Sequence, residues 1–152
     1  MAEADAVVEF KEGMSFLRNN YARRALDHFA RAVELDKTNP FYLSYLGVAM
    51  AAGERNWDAA EDLCTQAVKM RRSQAELYIN LADVYRLAGK RQDAVEALSE
   101  GLRYTKQDSR IAEALRRYGF RRPPVLPFLD RNNFLNRRLG RLRYRVLQSL
   151  GK

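Results

Sequence analysis

Few residues in this sequence could take part in catalysis or bind a metal ion. The chain has one histidine, His28, and one cysteine, Cys64. A single cysteine excludes an internal disulfide and a cysteine-based zinc site, and is typical of a small buried side chain. His28 is expected on the outward face of a helix as a solvated residue, because no second histidine can join it as a ligand. The sequence therefore predicts no metal site.

The carboxylates, serines and glycines form no catalytic pattern either. Glu61 and Asp62 are adjacent on a predicted helix, so their side chains point about 100° apart and cannot converge. We expect both carboxylates to be solvated. The serines lack a neighbouring base, and the eight glycines occur singly instead of in a phosphate-binding loop. These observations predict no enzyme activity, no cofactor and no small-molecule substrate.

The positive charge of the chain is concentrated near its C-terminal end. The net charge is +8, and residues 116–152 hold 11 of the 27 basic residues but one of the 19 acids. Such asymmetry indicates a segment that interacts with an acidic or anionic partner. Neither a signal-peptide pattern nor a long apolar stretch is visible, so we expect a cytoplasmic protein.

Three segments of the chain repeat the same spacing of small and apolar residues. Their anchor alanines are Ala25, Ala60 and Ala94, separated by 35 and 34 residues. The residues four and seven positions after each anchor are also small or apolar, which places them on one helical face. These residues are Phe29 and Ala32, Cys64 and Ala67, and Leu98 and Gly101.

Each segment follows another apolar helix, predicted over residues 7–17, 41–52 and 77–87. Turn signals separate the two helices of each pair, at Asn19 and Asn20, at Gly53 and at Gly89. One helix pair cannot bury its apolar face alone, whereas three stacked pairs can form a continuous core. The sequence therefore predicts an all-α fold of stacked helical hairpins, closed by a capping helix at residues 109–118 with Asp108 or Ser109 as its N-cap.

This pattern resembles the tetratricopeptide repeat family. The third unit carries the resemblance most clearly, at Tyr78, Leu81, Ala82, Tyr85, Gly89, Ala94, Leu98 and Gly101. The second unit offers Leu46, Gly47, Trp57, Ala60 and Ala67, and the first offers Gly13, Phe16, Ala25, Phe29 and Ala32. The resemblance implies a right-handed α-α superhelix with repeats at about residues 6–39, 40–74 and 75–108. It also implies a non-enzymatic adaptor or scaffold that binds another protein.

In this family the first helices of the pairs line a concave groove. The resemblance carries that role to Val7, Phe10, Met14 and Leu17; to Phe41, Ser44, Tyr45, Val48 and Ala51; and to Glu76, Ile79, Asn80, Asp83 and Arg86. Some family members clamp a peptide carboxylate with Lys, Asn and Arg. Here Phe10 and Met14 stand at the first unit's Lys and Asn positions, and Asn80 falls in the third unit instead of the second. The groove is therefore expected to suit an apolar helix or extended segment.

Residues 119–152 are predicted to form an extended strap followed by a basic amphipathic helix. Pro123, Pro124 and Pro127 exclude a helix in the strap. A helix over about residues 133–150 would align Leu135, Leu139, Leu142, Val146 and Leu150 in one stripe. The tail also carries Arg121, Arg122, Arg137, Arg138, Arg141, Arg143 and Arg145.

Three uses of this tail stay open. Its apolar residues could pack on the repeats, or they could pair with a partner protein or with a second copy in a homodimer. Packing on the repeats or in a symmetric dimer would bury Phe128, Leu129, Leu135, Leu139 and Leu142. The arginines could also bind an anionic membrane surface or nucleic acid. A small secretion-type chaperone is a further alternative to the adaptor, although such chaperones are typically acidic.

Overall fold

The computed structural model describes residues 2–118 and, beyond them, Phe134, Arg138, Leu139, Arg141 and Leu142. Residues 2–118 contain seven helices and no strand, which confirms the predicted all-α fold. The helices are α1 Ala2–Arg18, α2 Ala22–Leu35, α3 Pro40–Glu54, α4 Trp57–Met70, α5 Ala75–Leu87, α6 Arg91–Tyr104 and α7 Ser109–Arg117. None of the helices in the described residues is long and apolar enough to cross a membrane.

The chain divides into two units, Met1–Phe120 and Arg121–Lys152. In the first unit, α1 packs on α2, α3 on α4 and α5 on α6. Each hairpin contacts the next one through α2 and α3 and through α4 and α5, and α7 covers α5 and α6. This arrangement is a solenoid of helical hairpins, while the exact repeat boundaries stay a prediction.

Small residues set the distance between the helices of each hairpin. The anchor alanines Ala25, Ala60 and Ala94 are fully buried, as their shared helical face predicts. A Cβ atom added to Gly47 would lie 2.8 Å from the backbone oxygen of Ala60 and 2.7 Å from the Cys64 sulfur. One added to Gly101 would lie 2.7 Å from the Tyr78 ring. Larger residues at these positions would therefore push the helices apart.

Polar side chains begin three of the helices. Asn39 accepts a hydrogen bond from the Phe41 amide at 3.0 Å, and Pro40 occupies the first turn of α3. Asp108 accepts one from the Arg110 amide at 2.8 Å at the start of α7, as the sequence predicts. These caps satisfy amides that have no partner within the helix.

The predicted turn at Gly53 is wrong by two residues. Gly53 lies in the last turn of α3, and the left-handed residue that ends the helix is Arg55, with φ 58°. A Cβ on Gly53 would lie 3.2 Å from the Arg23 backbone nitrogen. The glycine therefore allows α2 to approach α3 closely, and it is not needed for the turn. The turns at Asn20 and Gly89 are confirmed by their positive φ angles of 63° and 76°.

Enlarging the anchor alanines tests this packing. We expect Ala60→Leu and Ala94→Leu each to lower the free energy of unfolding by about 1–3 kcal/mol through overpacking. Ala52→Leu is the matched control, because Ala52 is exposed on α3. Urea unfolding followed by circular dichroism measures all three variants. Equal stability of the Ala60, Ala94 and Ala52 variants would contradict the assigned helix crossings.

Candidate functional site

The predicted groove residues lie on α1, α3 and α5. α3 packs directly on α5, and α1 reaches α3 through aromatic side chains. Most of the predicted groove residues keep part of their side chains accessible. We call these accessible residues the groove surface. They are Phe10, Met14, Leu17, Phe41, Tyr45, Val48, Ile79, Asp83 and Arg86.

An aromatic cluster forms the N-terminal end of the groove surface. The Phe10 ring centroid lies 4.9 Å from that of Tyr42, 5.3 Å from that of Tyr45 and 5.6 Å from that of Phe29. Met14 and Leu17 pack beside it as half-buried residues. Aromatic pairs at these distances attract one another beyond the burial of their area. This end of the groove is therefore apolar and firmly held.

A tyrosine and a glutamate mark the change from apolar to polar lining. The Tyr45 hydroxyl donates a hydrogen bond to the Glu76 carboxylate. Burial, followed by this hydrogen bond, raises the pKa of Tyr45 above its ordinary value. Arg110 on α7 lies 3.9 Å from the same carboxylate and 3.1 Å from Asp108. Glu76 thus places an anionic group in the middle of the groove.

Three of the predicted lining residues are not accessible, which corrects the sequence analysis. Ser44 and Ala51 are buried, and Asn80 is only 6% exposed. The Asn80 amide donates a hydrogen bond to the Ser44 hydroxyl at 3.0 Å, and Ser44 donates to the Phe41 carbonyl at 3.1 Å. Because α3 and α5 approach closely at these short side chains, Asn80 joins the two helices beneath the groove.

The far end of the groove surface is polar. Asp83 and Arg86 are partly or fully exposed and form an ion pair at 3.1 Å, one turn apart on α5. An exposed pair of this kind adds little stability and stays available to a ligand. The predicted change from an apolar to a polar end therefore agrees with the position of these side chains.

The prediction of a solvated His28 is wrong. Its side chain is 18% exposed, and its Nδ1 atom lies 2.7 Å from a Glu9 carboxylate oxygen. The imidazole stacks on Phe16 with the centroids 5.1 Å apart and the planes 14° from parallel. Helical periodicity could not reveal this contact, because it depends on how α1 rotates against α2.

Glu61 is also not simply solvated. Its carboxylate accepts hydrogen bonds from the Tyr85 hydroxyl at 3.0 Å and from Lys90 at 2.9 Å. The Lys90 bond, aided by the one from Tyr85, lowers the pKa of Glu61. Glu61 therefore ties α4 to α5 and to the turn that follows. Asp62, its neighbour in sequence, is exposed as expected.

Cys64 has the buried, inert environment that the sequence predicts. It is fully buried, and this burial raises the pKa of its thiol to about 12. A thiol with this pKa stays protonated at neutral pH and is a poor nucleophile or metal ligand.

A second cleft, between α4 and α6, was not foreseen from the sequence. It has a volume of ≈ 870 Å³, with Val68, Leu81 and Tyr85 among its apolar lining residues. Acidic residues line it along α6, and Lys69 at the end of α4 and Arg72 in the turn that follows line it on the other side. Asp93, Glu96 and Glu100 recur at intervals of three and four, which is the one sequence signal that could have indicated it.

Much of the predicted basic tail lies outside the described residues. This applies to Arg121, Arg122, Arg137, Arg143 and Arg145, and to Phe128, Leu129 and Leu135. Within the second unit, Arg138 is exposed and lies 5.9 Å from the Phe134 ring centroid, and Arg141 is exposed as well.

In the single chain Leu142 is 54% exposed and Leu139 is half-buried, and the expected burial of these residues on the repeats or in a symmetric dimer stays a prediction.

Comparison with known proteins agrees with this geometry. Residues 49–118 match the tetratricopeptide repeat family. No curated protein sequence matches the chain significantly. Among solved structures, the TPR domain of Arabidopsis OM64 is similar with a TM-score of 0.64 and 16% identity, covering 78% of this chain and 98% of that one.

Two further structures share the fold. The first TPR of Spaghetti (RPAP3), bound to the HSP90 peptide SRMEEVD, has a TM-score of 0.63 and 19% identity, covering 77% of this chain and 94% of that one. MamA has a TM-score of 0.57 and 23% identity, covering 76% of this chain and 69% of that one. Residues 49–118 therefore carry the tetratricopeptide repeat pattern, and residues 2–118 have the helical-solenoid fold of that type.

The Glu61 contacts predict a pH-dependent contribution to stability. Because the folded-state pKa of Glu61 is lowered, its contribution is present above the unfolded pKa and is lost as pH falls through the folded pKa. Glu61→Gln should therefore destabilise the protein at pH 7 but make progressively less difference as the solution is acidified below about pH 4.

Urea midpoints across this pH range measure the effect. Asp62→Asn is the matched control, because it removes the same charge from an exposed neighbour. A constant difference between wild type and Glu61→Gln at every pH would show that the carboxylate charge is not what matters.

Proposed function

We propose that this protein is a non-enzymatic adaptor whose groove surface binds an apolar peptide or helix of another protein. The observation that carries this proposal is the run of accessible apolar side chains along α1, α3 and α5. Phe10, Met14, Tyr45, Val48 and Ile79 all lie on this run and are half-buried. Apolar side chains that stay accessible beside a stable core are typical of a surface that receives a partner.

The distribution of apolar and polar residues in the ligand follows from the chemistry of the two ends of the groove surface. Met14 can adjust its conformation to different apolar side chains, whereas the aromatic cluster beside it is held in place. Asp83 and Arg86 at the other end can pair with polar or charged groups. We infer a ligand with apolar residues at one end and polar residues at the other.

The groove is poorly suited to the carboxylate of a peptide C-terminus. The clamp positions given by the family resemblance hold Phe10 and Met14, neither of which can donate a hydrogen bond to a carboxylate. Glu76 adds a negative charge, and Arg110 beside it already faces Asp108 and Glu76. An acidic peptide would therefore meet repulsion without compensating donors.

The HSP90 peptide SRMEEVD, present in the structure of the first TPR of Spaghetti, tests this exclusion. We expect no saturable binding of the fluorescein-labelled peptide to this protein up to about 500 µM, measured by fluorescence anisotropy. The Spaghetti domain serves as the positive control in the same titration. Micromolar binding to this protein would contradict the absence of a clamp.

Peptides selected by phage display on the full chain test the groove itself. We expect an apolar, amphipathic peptide to be selected and Met14→Gln to weaken its binding by roughly tenfold, as at the centre of an apolar interface. Val8→Gln is the control, because Val8 is exposed on another face of α1. A selected peptide that binds the Met14 variant as tightly as wild type would place the binding surface elsewhere.

A peripheral role for the tail is the second candidate function. The arginine content of the tail favours this role, since Arg138 and Arg141 are exposed and residues 116–152 carry 11 basic residues. An anionic membrane surface or nucleic acid would then be the partner, and its binding would weaken steeply with salt. Binding in the groove should depend far less on salt. A homodimer through the tail and a cytoplasmic location both remain proposals.

A further inference from the structure

Three potential metal ligands converge where α1 packs on α2. Glu9 and Glu12 lie one turn apart on α1, and His28 faces them from α2. The His28 Nδ1 atom is 2.7 Å from one Glu9 oxygen and 3.4 Å from one Glu12 oxygen. One ligand atom from each residue lies within 4.8 Å of the other two. Side chains from two helices therefore bring three possible ligand atoms close together.

Protein groups alone leave this cluster with excess negative charge. The Nδ1 atom of an imidazole carries at most one proton. The His28 Nδ1–H group therefore donates its hydrogen bond to Glu9, and Glu12 receives none from it. Among the described residues, Glu12 accepts no hydrogen bond. Arg31 lies 3.9 Å from Glu9, but its side chain is 64% exposed, so water screens its charge. Two carboxylates thus share one imidazole.

The imidazole is also held in a fixed orientation. Phe16 stacks against it, and only 18% of the His28 side chain is exposed. The stacking directs Nδ1 toward the two carboxylates before any ion binds. A preorganised ligand of this kind reduces the entropy lost when a metal binds.

The separations between the ligand atoms suit a small divalent ion. Metal–ligand distances of about 2.0–2.2 Å in a tetrahedral site place neighbouring ligand atoms about 3.4 Å apart. The His28–Glu12 separation already has this value, the Glu9 carboxylate needs to withdraw from His28 by less than 1 Å, and the two carboxylate oxygens lie within 4.8 Å of each other. Rotation of a glutamate side chain supplies such a movement. One nitrogen and two carboxylate oxygens are ligands that zinc accepts, with water at the open position.

We propose that Glu9, Glu12 and His28 form a binding site for a divalent transition-metal ion of the zinc type. The bound ion replaces the proton between His28 and Glu9 and neutralises the two carboxylates. It also fastens α1 to α2, which stabilises the first hairpin beside the aromatic end of the groove. The role is structural, and the site is independent of the proposed peptide binding.

Isothermal titration of Zn²⁺ into the full, tag-free chain after chelator treatment tests the proposal. We expect one saturable site per chain with a Kd on the order of micromolar, and a higher Tm in the presence of Zn²⁺. Cys64 will not compete, because it is fully buried and its thiol pKa is raised to about 12. Co²⁺ should bind at the same site and report its coordination through visible d–d absorption.

Glu12→Gln is the decisive variant, because Glu12 is 55% exposed and its removal should not disturb the fold. Loss of a group that only hydrogen-bonds to a metal ligand can weaken metal binding 10–100-fold. Loss of the Glu12 carboxylate, which is itself a proposed ligand, should therefore weaken Zn²⁺ binding by at least about tenfold. His28→Ala should abolish binding. Glu34→Gln, which removes an equal charge from an exposed position on α2, should leave it unchanged.

Two results would overturn the proposal. One is the absence of saturable Zn²⁺ binding to the folded wild-type chain. The other is equal binding by the wild-type, Glu12→Gln and Glu34→Gln proteins, which would place the ion elsewhere. Either result would leave the peptide-binding proposal intact, because that proposal is measured with a different ligand and a different surface.

Discussion

The close approach of paired helices at small residues is the constraint on which the rest of this structure depends. A Cβ atom on Gly47 would lie 2.8 Å from the Ala60 backbone oxygen, so α3 and α4 cannot accommodate a larger residue there without moving. In the next hairpin, a Cβ atom on Gly101 would lie 2.7 Å from the Tyr78 ring. Backbones that approach this closely fix how each helix is rotated, and the rotation decides which side chains reach the groove.

Polar contacts beneath the groove reinforce this rotation. Asn80 and Ser44 join α3 to α5, and the Cys64 thiol donates a hydrogen bond to the Ser44 carbonyl at 3.3 Å, which extends the contact to α4. A buried amide that loses its partner is costly, so sliding one helix along another is disfavoured. The aromatic and apolar side chains above these contacts are therefore presented in one arrangement. Side chains that are already held in one arrangement lose little conformational entropy when a ligand contacts them.

The sequence predicts what depends on local periodicity and misses what depends on the meeting of distant residues. The anchors Ala25, Ala60 and Ala94 are buried as predicted, because their spacing alone defines a helical face. His28 and Glu61 were misjudged because their partners lie in other helices, and contact depends on a rotation that periodicity does not specify. The turn near Gly53 was misplaced because this unit has one extra residue in its turn. The cleft between α4 and α6 follows from a gap between helices, for which a single sequence holds little signal.

Methyl NMR of the four methionines is the most direct test of the claim that the groove surface binds the partner. Met14 lies on the groove surface, whereas Met70 is 43% exposed at the end of α4. On titration with a peptide selected on the full chain, the Met14 methyl signal should shift in proportion to occupancy while the Met70 signal stays in place. A shift of Met70 without any shift of Met14 would contradict the account and place the partner on another face of the solenoid.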